Sequence, residues 1–156
     1  MKRINIAITF SLAAIALCPF SFPQTGAPEK PAEFDHKAIH VRDLQKSAAF
    51  YESVLGLKRI PDPFKDGRHV WFRIGAHDQL HVIGGAVEVA KQDMDVHISF
   101  RVPSLADFVI RLDQMQVKYV NSKGEERKMN VRPDGVKQVY FQDPDGYWIE
   151  VNDDKI

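Results

Sequence analysis

Phe141-Gln142-Asp143-Pro144-Asp145-Gly146-Tyr147-Trp148-Ile149-Glu150-Val151-Asn152-Asp153 reads as a tight turn delivered into a strand. Pro144 presets φ, aspartate caps its own backbone, and Gly146 takes positive φ. The residues that follow alternate. Tyr147, Ile149 and Val151 share one face, while Trp148, Glu150 and Asn152 share the other. A carboxylate therefore stands mid-strand between two branched aliphatic residues. It is either part of a solvated face or a ligand inside a cup of sheet.

Reading outward, the preceding segment Val136–Gln142 is a strand entered from the turn Pro133-Asp134-Gly135, and Asn121 to Asn130 is a charged, solvated loop. Val117 to Val120 is a short strand. Ser104 caps a helix whose apolar stripe is Leu105, Phe108, Val109 and Leu112, with Asp107 completing a capping box. Val96 to Val102 is a strand with His97, Ser99 and Arg101 opposite Ile98, Phe100 and Val102.

The same pattern precedes it. Phe34 to Val41 is a strand with His36, Ala38 and His40 opposite Ile39 and Val41. Asp43 caps a helix with Leu44, Ala48, Tyr51 and Leu55 on one side, and Gly56 ends it. Leu57–Ile60, Arg68–Ile74 and Gln79–Ile83 are strands, and residues 86–94 are a linker. His36 and His97, Val41 and Val102, and Leu44 and Leu105 are each 61 positions apart. The chain is a duplicated βαβββ unit, residues 34–85 and 95–153, forming one α+β domain over 34–153 with a curled mixed sheet.

Four polar residues occupy matching places. His36 and His97 open the two halves, and His81 and Glu150 lie on their closing strands. Each alone is an ordinary strand residue. Together, three imidazoles and a carboxylate suit one divalent transition metal (Zn, Ni, Fe, Mn or Co) rather than Ca²⁺ or Mg²⁺. Two sheets curling to face each other would bring all four together, and the sequence leaves open whether that cup closes within one chain or between two.

The 156 residues are 44 % hydrophobic and 27 % charged with zero net charge. Neutrality argues against nucleic acid as a partner. Met1-Lys2-Arg3, the apolar run Ile4 to Cys18 and the Pro-rich stretch that follows read as a signal peptide over 1–27, with 28–33 as linker. An exported protein, periplasmic or secreted and free of the membrane after cleavage, is the expectation; an uncleaved anchor is the competing reading. Leu17 is too large for a lipidation site at Cys18. Cleavage removes that only cysteine, and with it any thiol chemistry.

Asp35-His36-Lys37-Ala38-Ile39-His40-Val41-Arg42-Asp43-Leu44, Phe50-Tyr51, Val54-Leu55-Gly56-Leu57 and the closing Asp143–Glu150 motif resemble the vicinal oxygen chelate proteins. These are the glyoxalase I, bleomycin-resistance and extradiol-dioxygenase superfamily. The resemblance implies metal ligation by His36, His81, His97 and Glu150, and a small-molecule substrate held through neighbouring oxygens. It implies a proton-transferring role for Glu150 in a glyoxalase I-like lyase or isomerase, and a homodimer. An Fe(II) extradiol-type dioxygenase using His36, His97 and Glu150 is the alternative, and a drug-binding resistance protein a third. His40 stands where bacterial glyoxalase I places a glutathione-binding arginine. Arg73 or Arg101 offers a cation for an anionic group, or is simply an exposed strand charge. Trp71, Tyr140 and Trp148 are candidates to line the substrate pocket, or to pack.

Overall fold

Cap chemistry and alternation build the same unit twice. The computed structural model describes residues 30–155. The chain divides into two compact units, Met1–Ala32 and Glu33–Ile156; of the first, only residues 30–32 are described, without helix or strand. The expected signal peptide lies outside the described residues. Among the described residues no helix is long and apolar enough to cross a membrane.

The second unit runs β1 (His36–Val41), α1 (Leu44–Leu55), β2 (Lys58–Ile60), β3 (His69–Arg73) and β4 (Gln79–Gly84), then β5 (His97–Arg101), α2 (Leu105–Gln114), β6 (Tyr119–Val120), β7 (Asn130–Val131), β8 (Lys137–Gln142) and β9 (Trp148–Asn152). Asp43 accepts from the backbone N–H groups of Gln45 and Lys46, and Gly56 closes α1 at φ 71°, a conformation glycine adopts at no steric cost. Ser104 accepts from the Asp107 N–H at the start of α2.

The strands form two mixed sheets of α+β type, in the orders β1-β4-β3-β2 and β5-β9-β8-β6, with β7 also paired to β8. In each, the helical crossover makes the outer pair parallel, β1 with β4 and β5 with β9. Ala38 lies opposite His81 and Ser99 opposite Glu150. Register thus makes His81 and Glu150 structural counterparts.

The charged stretch 121–130 departs from expectation. Its end forms β7, and Asn121 is buried because its Oδ1 accepts from the N–H groups of Lys123 and Glu125. Charge composition masked an Asx turn whose one anchoring side chain points inward.

One apolar core spans both halves. Ile39, Val41, Phe72, Leu80 and Val82 of the first sheet join Val139, Phe141, Ile149 and Val151 of the second, with α1 and α2 packed among them. Phe141 meets Phe50 at 6.2 Å and Phe108 at 6.1 Å between ring centres. Burying each such side chain stabilises the fold by about 1.5–3 kcal/mol. The shared core leaves the opposite, polar faces of the two sheets to carry chemistry.

Candidate metal centre

Glu150 is not on a solvated face. Alternation turns it away from Ile149 and Val151, yet it is 6 % exposed. Its Oε1 accepts from Ser99 Oγ at 2.9 Å and Asn152 Nδ2 at 2.7 Å. Its Oε2 accepts from Gln138 Nε2 at 2.7 Å and the Tyr140 hydroxyl at 2.8 Å. Burial pushes the Glu150 carboxyl upward, but hydrogen bonds from Asn152, Tyr140 and Ser99, with His97 adding to them, hold it below its ordinary value. Burial and the neighbouring Glu150 push the Tyr140 hydroxyl far above its own, so it remains a donor.

His97 is the neighbour of that carboxylate. Its Nδ1 lies 2.8 Å from the Met94 carbonyl oxygen, which can only accept, so Nδ1 carries the proton. Nε2 then faces Glu150 Oε2 at 3.4 Å. An imidazole nitrogen and a carboxylate oxygen at this distance have room for a shared proton or cation between them. Metal bonds of about 2.1 Å put two ligands of one ion roughly 3.0–3.4 Å apart. The pair fits a divalent transition metal in both donor type and spacing.

His36 has the same preparation. Its Nδ1 is 2.6 Å from Asp35 Oδ2, which orients the ring and leaves Nε2 available, the arrangement typical of a metal-bound imidazole. His81 differs. It lies in a stack, 3.7 Å from Trp71 at 11° and 4.3 Å from His36 at 13° between ring planes. Its Nε2 donates to Gln79 Oε1 at 2.9 Å, and burial, then proximity to His36, lowers its pKa. A metal binds an imidazole in the ring plane, and two nearly parallel planes do not converge on one ion. His36 and His81 therefore do not ligate one metal together without one ring turning.

The chain holds these residues as two pairs, His36 with His81 and His97 with Glu150. Among the described residues, no three of the four bring ligand atoms within 4.8 Å of one another. The sequence leaves open whether the cup closes within one chain or between two; within one chain the curled sheets do not gather all four. The reason is packing: both apolar faces turn into one core, and the shared interior does not bring the two polar faces together. The one such cluster among the described residues is Asp62 and Asp66 of the loop after β2 with His69 at the start of β3. There the Asp62 oxygens accept from the Phe64 and Lys65 N–H groups, and Asp66 Oδ1 from Arg68.

The other candidates divide between the two faces. Trp71, with His36, His69, His81 and Phe64, walls a cleft of about 550 Å³, and the Trp71 Nε1 is buried without a partner. Arg73 is exposed on the Trp71 face of β3, its guanidinium donating to the Ala76 carbonyl at 3.3 Å. His40 is exposed, its backbone N–H and C=O both bonded to the Tyr147 hydroxyl. On the second sheet, Tyr140 contacts His97 edge to face at 5.4 Å. Trp148 Nε1 donates to the Gln92 carbonyl at 3.2 Å. Arg101 is exposed on β5, opposite Asn152 in register. Sequence reasoning passed over Ser99, Gln138 and Asn152. Their signal was the period of two, which places each beside His97, Tyr140 or Glu150 on a shared strand face.

Fold and site together define a protein of two βαβββ modules that carries imidazole and carboxylate groups on the polar faces of both sheets. The chain belongs to the Glyoxalase/Bleomycin resistance protein/Dioxygenase superfamily, whose family model matches residues 33–151. It is 27 % identical over 132 residues to "Glyoxylase I 4" of Arabidopsis thaliana, covering 81 % of this chain and 73 % of that one. It is 25 % identical over 155 residues to "Lactoylglutathione lyase" of Pseudomonas putida, covering 76 % and 83 %. Among solved structures, a glyoxalase/dioxygenase from Nostoc punctiforme superposes with a TM-score of 0.68 at 23 % identity, covering 87 % of this chain and all of that one.

Proposed function

We propose that this chain is a metal-dependent lyase or isomerase of the glyoxalase I kind, acting on a small molecule with two neighbouring oxygens. The observation that carries the reading is the facing pair of His97 Nε2 and the buried, ionised Glu150 Oε2 at 3.4 Å. His36, His97 and Glu150 would hold the ion, which when bound would supply Lewis acidity to the two substrate oxygens. Glu150, released from the ion as substrate binds, would take the proton from the activated carbon and return it to the adjacent one. Because its pKa is lowered, the carboxylate is ionised and able to accept at neutral pH. Tyr140 and Trp148 line the second-sheet side, with Trp71, His40 and Arg73 opposite and Arg101 at the margin.

The two ligand pairs meet between two copies of the chain, His36 of one facing His97 and Glu150 of the other. The likeness to a lactoylglutathione lyase supports the chemistry. The chain is exported, which with His40 in place of an arginine points away from glutathione and toward another carrier of the substrate.

A second reading is favoured by the stacked His81 ring. With His81 withdrawn, His36, His97 and Glu150 are a two-histidine, one-carboxylate set with open positions, which suits an Fe(II) dioxygenase. Elemental analysis followed by two assays separates the readings. Zn or Ni with loss of a methylglyoxal–thiol adduct supports the lyase, and oxygen uptake with a catechol, restored by Fe²⁺, supports the dioxygenase. A protein that takes up no metal after incubation refutes both and leaves the drug-binding role.

A further inference from the structure

A carboxylate offers about four lone-pair sites, and in Glu150 all four face protein donors. Ser99 and Asn152 occupy Oε1; Gln138 and Tyr140 occupy Oε2. Oε2 is also the atom that faces His97 Nε2. A cation entering between His97 and Glu150 therefore finds its oxygen already taken, and one of two donors must give way.

The two are not equivalent. The Gln138 amide is planar, buried at 5 % exposure, and donates to the Tyr140 oxygen as well as to Glu150. Moving it breaks two hydrogen bonds. The Tyr140 proton turns about a single C–O bond, and its oxygen keeps the bond from Gln138 as it does so. The Tyr140 ring also abuts His97, so its hydroxyl is the Oε2 donor on the side of the entering ion. Ser99 and Asn152 bond to each other's side chains at 3.1 Å while holding Oε1, and nothing about metal entry disturbs them.

We infer that Tyr140 is a positioning residue whose hydroxyl is a displaceable cap on the metal-facing oxygen of Glu150, while Ser99 and Asn152 are its fixed anchors. The inference rests on the reading of Glu150 as a metal ligand and adds how the ligand is held before and after loading. Its consequence is a difference in sign. Removing a fixed anchor loosens the ligand and weakens metal binding, as loss of an outer-shell partner generally does. Removing the cap takes away a competitor and strengthens it.

The test is calorimetric titration of the chelator-stripped full chain with Zn²⁺ at fixed pH. Tyr140→Phe is expected to bind Zn²⁺ about tenfold more tightly than wild type, the scale of one hydrogen bond to a charged group. Ser99→Ala and Asn152→Ala are expected to bind about tenfold more weakly. In the unaltered chain, Zn²⁺ uptake is expected to shift the tyrosine ultraviolet difference spectrum, a readout that survives if Tyr140→Phe fails to fold. Equal or weaker binding by a folded Tyr140→Phe, or a flat tyrosine signal on saturation, overturns the inference alone. No Zn²⁺ uptake by wild type, or uptake unaffected by Glu150→Gln, overturns the ligand reading and the inference with it.

Discussion

The Tyr51 hydroxyl donates to Asp143 Oδ2 across 2.9 Å, joining α1 to the closing turn 92 positions later in the chain. Asp143 Oδ1 meanwhile accepts from the N–H groups of Asp145 and Tyr147. Asp145 accepts from Ser47 Oγ at 3.1 Å and from the Arg42 guanidinium at 3.3 Å. The acids of the Asp-Pro-Asp-Gly turn thus fasten the second module to the first. Tyr51→Phe is expected to cost about 1.5–3 kcal/mol, because it strips a buried carboxylate of a donor. Urea denaturation checks this, and a loss within about 0.5 kcal/mol would show that the link contributes little.

The same carboxylate gives a pH dependence. Burial raises the Asp143 pKa, and the hydrogen bonds from Tyr147 and Tyr51 oppose the rise without cancelling it. The folded state therefore holds the proton more tightly than the unfolded chain. Above the folded pKa the ionised group costs stability, and that cost is relieved as pH falls through the folded pKa toward about 4, the ordinary aspartate value. The stability of wild type relative to Asp143→Asn should rise as pH falls from above the folded pKa toward about 4. A constant or falling difference in paired urea titrations would contradict the assignment.

The stacked rings predict unequal ligands. His36→Gln is expected to weaken metal binding by about 10–100-fold or more, while His81→Gln in the same titration changes it by less than about threefold. Equal losses would mean that the His81 ring turns out of the stack to bind.

Separation of the two pairs within one chain predicts complementation between chains. His36→Ala and Glu150→Ala should each retain little metal alone. Mixed, unfolded and refolded together, they should recover about one site per heterodimer, half of its two sites, because one of the two receives both intact halves. Elemental analysis of the separated heterodimer is the measurement, and no recovery counts against a shared site.

Much of this was legible in the sequence because it is local. Asp43, Ser104 and Gly56 mark helix ends through bonds made within a few residues. Period-two alternation assigns faces to β1, β4, β5 and β9, and the 61-residue offset pairs His36 with His97. The equivalence of His81 and Glu150 followed from that repeat, and the strand register bears it out. The short strand β7 was not legible, because its partner is set by the Asn121 turn rather than by its own two residues.

What only the tertiary structure decided is which polar face meets which. Alternation says that His36, His81, His97 and Glu150 point away from the apolar faces, but not that both apolar faces share one core and leave the four side chains as two separate pairs within the chain. Nor does it say that Glu150 is buried: a strand's period is the same whether its polar face meets water or four donors. That distinction comes from neighbouring strands, which bring Ser99, Gln138, Tyr140 and Asn152 around one carboxylate. Hydrogen bonds between residues distant in the chain carry no periodic signature, so the sequence marks the candidate residues while the fold determines how each is held.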